Sequence, residues 1–412
     1  MSSTASAASS PPHKVLIRSG SPRCVDGIWN ETIDCEDLPH KTQSVSPTAL
    51  SHCSTEPNGA ADGDETKLRL VSYNIHGWRD TDHKDNFDRL VETLKKTNAD
   101  VVALQEVLHP YHPPSDAEAA EAYFARVKAG KGNGFSAEYV GAGGEAAYLS
   151  ALASALGLPH VSFGQAVADG YFGAFGYGNA ILSRFPVVGE SHTVVKPAGR
   201  HQAGRRIEAE DRCFSVVTLA TGEARQHTVC VTHLDQLSDE LRQEQVAAML
   251  PLAAAAGPHV LCGDLNVFQR ADCAAEQWQA ILDDAAGKGW GAPPETTAAI
   301  QELLGRGYRD CFYLSDNHRH GQAPAELAVP GMAADAATPG ATCWVTKPLL
   351  RIDYAFLSPD LDAGLVRQYQ RLTDTASDHF PVVIDLTLPA PSSFPSRTES
   401  PQPAGELCEA NN

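Results

Sequence analysis

Three things are missing from this 412-residue chain, and each absence removes a class of protein. No apolar run approaches the roughly 20 residues that a bilayer-spanning helix needs. The longest, VVALQEV and PLAAAAG, fall far short, so no membrane span is expected. The ten cysteines include no C-x-x-C pair, which argues against a structural zinc. Cys230 and Cys262 sit inside apolar strand-like runs, where a thiol behaves as a small hydrophobe and a reducing compartment, cytoplasmic or nuclear, is implied. Positive charge is scarce too: 51 Asp and Glu oppose 32 Lys and Arg, a net charge of −19. A broadly basic surface that grips nucleic acid by counterion release is therefore not expected. A local basic groove is still compatible with that balance, because the field decays within roughly 10 Å at moderate salt.

What is present is enough for one large core. A hydrophobic content of 42% fits a single globular domain with irregular flanks. Residues 1–65 are rich in Ser, Pro, Thr and Gly with little apolar periodicity, and residues 390–412 share that texture. Both read as disordered or low-complexity segments around a domain spanning 66–389. Lys14, Arg18 and Arg23 precede the first acid, Asp26, in a Ser/Ala setting that is compatible with an organellar transit peptide; a disordered tail is the favoured reading.

Within the domain, the alternating run LRLVSYNI is followed by Phe87, Leu90, Val91 and Leu94 at helical spacing and then by VVALQEV, a β-α-β unit. A helix from about Tyr148 to Leu156 is predicted to stop at Gly157 and Pro159. AILSRFPVV, CFSVVTLA and HTVCVTHL read as short strands. Ser238 is placed to cap a helix through Ala256 that Pro251 should kink. Trp278, Ile281, Leu282 and Ala285 mark one further amphipathic helix, and Ile300, Leu303 and Leu304 another. Tyr111 to Gly144 and Ser315 to Thr342 carry no element signal and read as long loops. The pattern suits two packed, mostly antiparallel sheets with helices on their outer faces.

Polar residues recur where these apolar runs end. Glu106 closes VVALQEV, where a carboxylate can hold a hard cation; a solvated strand-end glutamate is the duller explanation. Asn74, in VSYNIHGW with His76, offers an amide to a metal or a phosphate, or else begins an ordinary Asn-x-x-Gly turn. Asp264 and Asn266 leave the buried run HVLCG two positions apart, suited to orienting a water and an attacking or phosphoryl oxygen. In SDHFPV, Asp378 can bind a metal, and His379 can protonate a leaving oxygen. His379 needs an orienting partner, for which Asp353 in RIDYAFLS is the candidate; pairing of Asp353 with Arg351 is the competing reading. His233 in VTHLD could donate to a phosphoryl oxygen. Asn179 and Arg184 flank AILS as candidate substrate-binding residues, Arg184 forking onto a phosphate or merely covering a sheet edge. Arg205, Arg206 and Arg212 are phosphate-handling residues or partners of Glu208, Glu210 and Asp211.

These seven motifs resemble the endonuclease/exonuclease/phosphatase superfamily, from about Leu68 to Leu388. The resemblance implies a four-layer α-β-β-α sandwich and Mg²⁺- or Mn²⁺-dependent phosphoester hydrolysis. By motif, it implies Glu106 as the principal metal ligand with Asn74 and Asp378 nearby. Asp264 and Asn266 resemble the water-activating pair, and His379, oriented by Asp353, the histidine that stabilises phosphate. Where the apurinic endonucleases have an aspartate two residues after the strand-end asparagine, this chain departs with His76. The THLD motif is more similar to the deoxyribonuclease, sphingomyelinase and phosphatase branches.

The expectation is a monomeric phosphoester hydrolase in which a metal polarises phosphate and Asp264 activates water. One rival is a nucleic-acid-specific nuclease, which needs Arg184, Arg205, Arg206 and Lys347 to line a basic groove. Another is a non-catalytic phosphate-binding scaffold on the same fold.

Overall fold

Strand alternation explains why the runs look apolar throughout: successive side chains point to opposite faces, and here both faces are covered. In β1 (Thr66–Asn74) and β2 (Val101–Pro110), Leu68, Leu70, Val101 and Ala103 enter one core, while Val71, Tyr73, Val102 and Leu104 enter another. The computed structural model describes residues 66–388 except 83, 111–146, 173–174, 197–199, 203–204, 208–210, 223–224, 288–291, 316–339, 344 and 346–349. Both tails and most of the two long loops lie outside the described residues, so the readings of residues 1–65 and 390–412 do too.

The remaining strands are β3 (His160–Phe172), β4 (Phe175–Ser183), β5 (Val187–Val195), β6 (Arg200–Gln202), β7 (Arg205–Ile207), β8 (Arg212–Gly222), β9 (Arg225–His233), β10 (His259–Asp264), β11 (Arg309–Asp310), β12 (Asp353–Leu357), β13 (Val366–Arg371) and β14 (Val382–Leu388). Two six-stranded sheets result, ordered β13-β14-β1-β2-β4-β3 and β11-β12-β10-β9-β8-β5, with β6 and β7 forming a separate two-stranded pair. Each large sheet is antiparallel except for one central parallel pair, β1 with β2 and β9 with β10. The mostly antiparallel sandwich read from the sequence is the architecture observed.

Helices cover the outer faces. Leu90 and Leu94 of α1 (Phe87–Thr97) and Leu149 and Leu152 of α2 (Ala147–Leu156) pack on the first sheet. Val246, Met249 and Ala253 of α3 (Asp239–Ala255) and Ile300 and Leu303 of α5 (Ala298–Gly305) pack on the second. Trp278 and Ile281 of α4 (Ala275–Gly287) join Cys273 in a smaller cluster, and a single turn, α6 (Cys311–Leu314), follows β11. Full burial of one such side chain is worth about 1.5–3 kcal/mol, so the three layer interfaces are what hold the sheets face to face. Ser238 caps α3 by accepting from the Leu241 N–H at 3.3 Å, and the helix continues past Pro251 to Ala255 as one element. No described helix is long and apolar enough to cross a membrane. The six described cysteines, Cys230 and Cys262 among them, are free and buried.

Candidate active site

Two parallel pairs impose one consequence: three strand ends and one mid-strand bulge meet on the same rim. Asn74 ends β1 and pairs with Gln105. The next residue, Glu106, lies in the middle of β2, which runs on to Pro110 instead of closing at Glu106 as the sequence suggests. His233 and Asp264 end β9 and β10 in direct register. The antiparallel neighbours complete the set, since Asp353 opens β12 opposite Asp264, and Asp378 and His379 lie just before β14.

Local geometry is specialised at each of these ends. The β2–β4 register shifts between Leu104 and Val107, and Glu106 sits in that bulge at φ 58, a left-handed conformation that costs a non-glycine residue of order 1 kcal/mol or more. Gly263, just before Asp264, has φ 143, and a Cβ there would stand 1.9 Å from the Thr232 carbonyl oxygen. Only glycine lets β10 approach β9 this closely. Asn266 follows at φ 50, a conformation that asparagine tolerates.

Asp264 is the hub. Its Oδ2 accepts from Asn74 Nδ2 at 3.0 Å and lies 3.5 Å from His233 Nε2 and 3.6 Å from His379 Nε2. Its Oδ1 accepts from the Asn266 N–H at 2.9 Å. Burial raises its pKa to about 7, although the His379 charge opposes the rise. His379 Nδ1 is 2.8 Å from Asp353 Oδ2. Burial alone would lower the His379 pKa, but the charges of Asp353, Cys343 and Asp264 outweigh it and hold the imidazole well above its ordinary value. Thr342 Oγ1 fixes the start of β12 by accepting from the Ile352 and Asp353 N–H groups, each at 3.1 Å. Arg351 does not compete for Asp353: it pairs with Asp272 at 2.8 Å and Asp310 at 2.6 Å, its guanidinium lying over Tyr354.

Beside this network lies an acid with a spare oxygen. Glu106 Oε1 accepts from Asn74 Nδ2 at 3.0 Å, whereas its buried Oε2 has no hydrogen-bond partner. Burial and the nearby Asp378 raise the Glu106 pKa against the pull of His76 and Asn74. Burial would raise Asp378 as well, but His76, His379 and the Ser377 hydroxyl lower it on balance. His76 Nε2 is 4.0 Å from Asp378 Oδ2, and Ser377 Oγ lies 2.8 Å from the Asn74 carbonyl and 3.2 Å from Asp378 Oδ1. Ligand atoms of Asp264, Asp353 and His379 also fall within 4.8 Å of one another. There the imidazole Nδ1 is already committed to Asp353, so the donor chemistry of a cation site fits the Glu106 side better.

The structure thus brings together Asn74, Glu106, His233, Asp264, Asn266, Asp353, Asp378 and His379. One expected residue, Arg184, lies elsewhere. Arg184 pairs with Asp100 at 3.0 Å, before β2 begins, and its side chain is 51% exposed. A rise of about 3.3 Å per residue sets it about 20 Å from Glu106, at the opposite end of the sheet, so it cannot fork onto a phosphate bound there. Asn179 is level with the Glu106 bulge and donates one amide N–H to the Cys213 carbonyl at 2.9 Å, tying the two sheets together. The side chains of Arg205 and Arg206, and Lys347, lie outside the described residues.

Sequence reasoning passed over Tyr177, whose hydroxyl is 3.4 Å from His233 Nδ1, and left Arg212 undecided; its guanidinium is 3.2 Å from the same nitrogen. Arginine opening an apolar strand, directly ahead of CFSVV, was the available signal for the second.

The family model described as Endonuclease/Exonuclease/phosphatase family matches residues 71–379. No curated protein matches the chain. An endonuclease/exonuclease/phosphatase from Beutenbergia cavernae DSM 12333 is 24% identical, with 78% of this chain and 72% of that one covered and a TM-score of 0.51; the likeness is one of fold. A mannosyl-6-phosphatase from Bacteroides thetaiotaomicron VPI-5482 is 14% identical over 78% and 100% of the chains, TM-score 0.48. The human Nocturnin catalytic domain with bound sulfate is 14% identical over 78% and 94%, TM-score 0.43.

Proposed function

The chain belongs to the endonuclease/exonuclease/phosphatase family, and from that premise we propose that it is a divalent-metal-dependent phosphoester hydrolase with Asp264 at its reaction centre. One observation carries the reading: side chains from three other elements, Asn74, His233 and His379, converge within 3.6 Å on a single oxygen of Asp264. A folding role alone gives no reason to bury so many polar groups around one carboxylate, each desolvated at a cost.

Glu106, Asn74 and Asp378 would hold a Mg²⁺ or Mn²⁺, and the buried, unpartnered Oε2 of Glu106 supports that fit. Such a cation supplies Lewis-acid polarisation of a phosphoryl oxygen. Asp264, raised to about 7 by burial, orients the attacking water and takes up its proton. Asn266 braces that carboxylate through its backbone N–H. His379, kept protonated by Asp353, donates from Nε2 to a phosphoryl or departing oxygen. His233 faces the same oxygen of Asp264 from the other side as a second hydrogen-bonding group.

A Mg²⁺-dependent hydrolysis panel covering DNA, RNA, inositol phosphates, sphingomyelin and generic mono- and diesters tests this, with Asp264→Ala as the blank. Turnover of at least one phosphoester, lost about 10²–10⁴-fold in the variant, is expected. Metal binding with no turnover on any class would instead favour the phosphate-binding scaffold. If DNA or RNA is the substrate, binding that weakens steeply with salt marks the nuclease reading.

A further inference from the structure

Two imidazoles flank Asp264 Oδ2 at nearly equal distance, yet their far sides meet opposite charges. Behind His379 stands the carboxylate of Asp353, 2.8 Å from Nδ1. Behind His233 stands the guanidinium of Arg212, with Nη1 3.2 Å from Nδ1. Arg212 is 1% exposed, and its Nη2 is anchored on Gln236 Oε1 at 2.9 Å. The Tyr177 hydroxyl lies 3.4 Å from both Nη1 and His233 Nδ1. On the other side of the ring, Asn266 Nδ2 is 3.0 Å from Nε2 and also donates to the Leu234 carbonyl at 2.9 Å.

An imidazolium carries N–H on both nitrogens. At His233 the Nδ1 proton would point at a guanidinium N–H, while Nε2, beside the Asn266 amide, also has the Asp264 carboxylate within 3.5 Å. Only a ring with its lone pair on Nδ1 can accept from Arg212, and a guanidinium cannot surrender its proton to make room. Among the described residues, the charged and titratable groups that face His233 from the packed elements are Arg212 on β8, Tyr177 on β4, Asp264 on β10 and His379 before β14. Only Asp264 favours a cation, and it is shared with His379.

We propose that Arg212 is a positioning residue that keeps His233 an uncharged hydrogen-bond acceptor beside Asp264. The inference rests on reading Asp264 as the reaction centre. It agrees with the direction of the shift, since burial, Arg212 and His379 all push His233 well below the ordinary imidazole value.

The test reads protonation directly and needs no turnover, so it can fail independently of the hydrolase reading. The full chain with Mg²⁺, labelled with ¹⁵N at histidine, is examined by long-range ¹H–¹⁵N correlation at about pH 6, below the ordinary imidazole value of roughly 6.5. His233 is assigned by its loss in His233→Gln. His233 is expected to show the neutral pattern, one nitrogen protonated and one bare. In Arg212→Gln the His233 midpoint should rise by about one unit or more, and Arg212→Lys should restore the neutral ring. An imidazolium at His233 in the wild type overturns the proposal, and that outcome needs no folded variant. An unmoved His233 in an Arg212→Gln protein whose amide spectrum matches the wild type overturns it as well.

Discussion

Glu106 pits stability against function on one side chain. Its Oε2 is buried without a partner, and burial raises its pKa, so the ionised form costs stability above the unfolded value near 4.5 and that cost grows as pH rises toward the folded pKa. Glu106→Gln keeps an oxygen for Asn74 Nδ2 and removes the charge. With chelator at neutral pH, its thermal midpoint should equal or exceed that of the wild type. With Mg²⁺ the order should reverse, because a ligand held at 100 times its Kd adds about 2.7 kcal/mol to the protein that binds it. A wild type indifferent to Mg²⁺ and Mn²⁺ in scanning calorimetry would remove Glu106 from the cation site. At this scale the sequence was most informative for residues that end apolar runs, because a polar group there must have a reason to be buried. It was least informative for Arg184, where the same argument holds at both ends of a strand and cannot tell the catalytic rim from the opposite one. Tyr177 is silent in the sequence: a tyrosine inside a strand reads as core, and only the fold places its hydroxyl against His233.

At the scale of elements, the β9–β10 pair and the start of β12 set the geometry of the rim. A methyl group at Gly263 would meet the Thr232 carbonyl at 1.9 Å and force β10 away from β9, the strand that presents His233. Gly263→Ala should lose about 2–4 kcal/mol in urea unfolding, with activity falling further than the folded fraction explains. Unchanged stability would mean that the close approach is not enforced. Arg351 links the segment after β10 to β12 through Asp272 and Asp310, both desolvated. Arg351→Met strands those two acids and should cost about 3–5 kcal/mol, whereas replacing Arg351, Asp272 and Asp310 together by apolar residues should cost much less. Equal losses in the two proteins would refute the ion-network account. Most elements were legible because their signals were clean: α4 and α5 follow the spacing of Trp278 and Ile300 and their neighbours, and α2 stops just before Gly157. The reading of Arg351 as a partner for Asp353 failed because sequence adjacency stood in for geometry. Its guanidinium lies over Tyr354 and Phe312 and reaches acids 41 and 79 positions away.

For the molecule as a whole, the four-layer order is what turns dispersed motifs into a site. Each sheet needs helices outside and its partner inside, and that burial fixes the rim where both parallel pairs end. The same burial makes stability depend on pH. Burial, aided by Arg225, lowers His227 to about 4, and its Nε2 is buried without a partner. The neutral ring is the folded form, so its contribution is complete above the unfolded value of roughly 6.5 and is lost as pH falls through that value toward 4. Chemical unfolding of wild type and His227→Gln should therefore diverge in favour of the variant as pH drops from neutral, and parallel curves would contradict it.

The central claim, hydrolysis of a phosphoester by water oriented on Asp264, is tested most directly by turnover in ¹⁸O-labelled water with Mg²⁺, comparing wild type with Asp264→Asn on a substrate the wild type cleaves. The account predicts label in the phosphoryl product and a loss of at least about 10²-fold in kcat for the variant. Wild-type turnover in Asp264→Asn, or a product free of label, would contradict it.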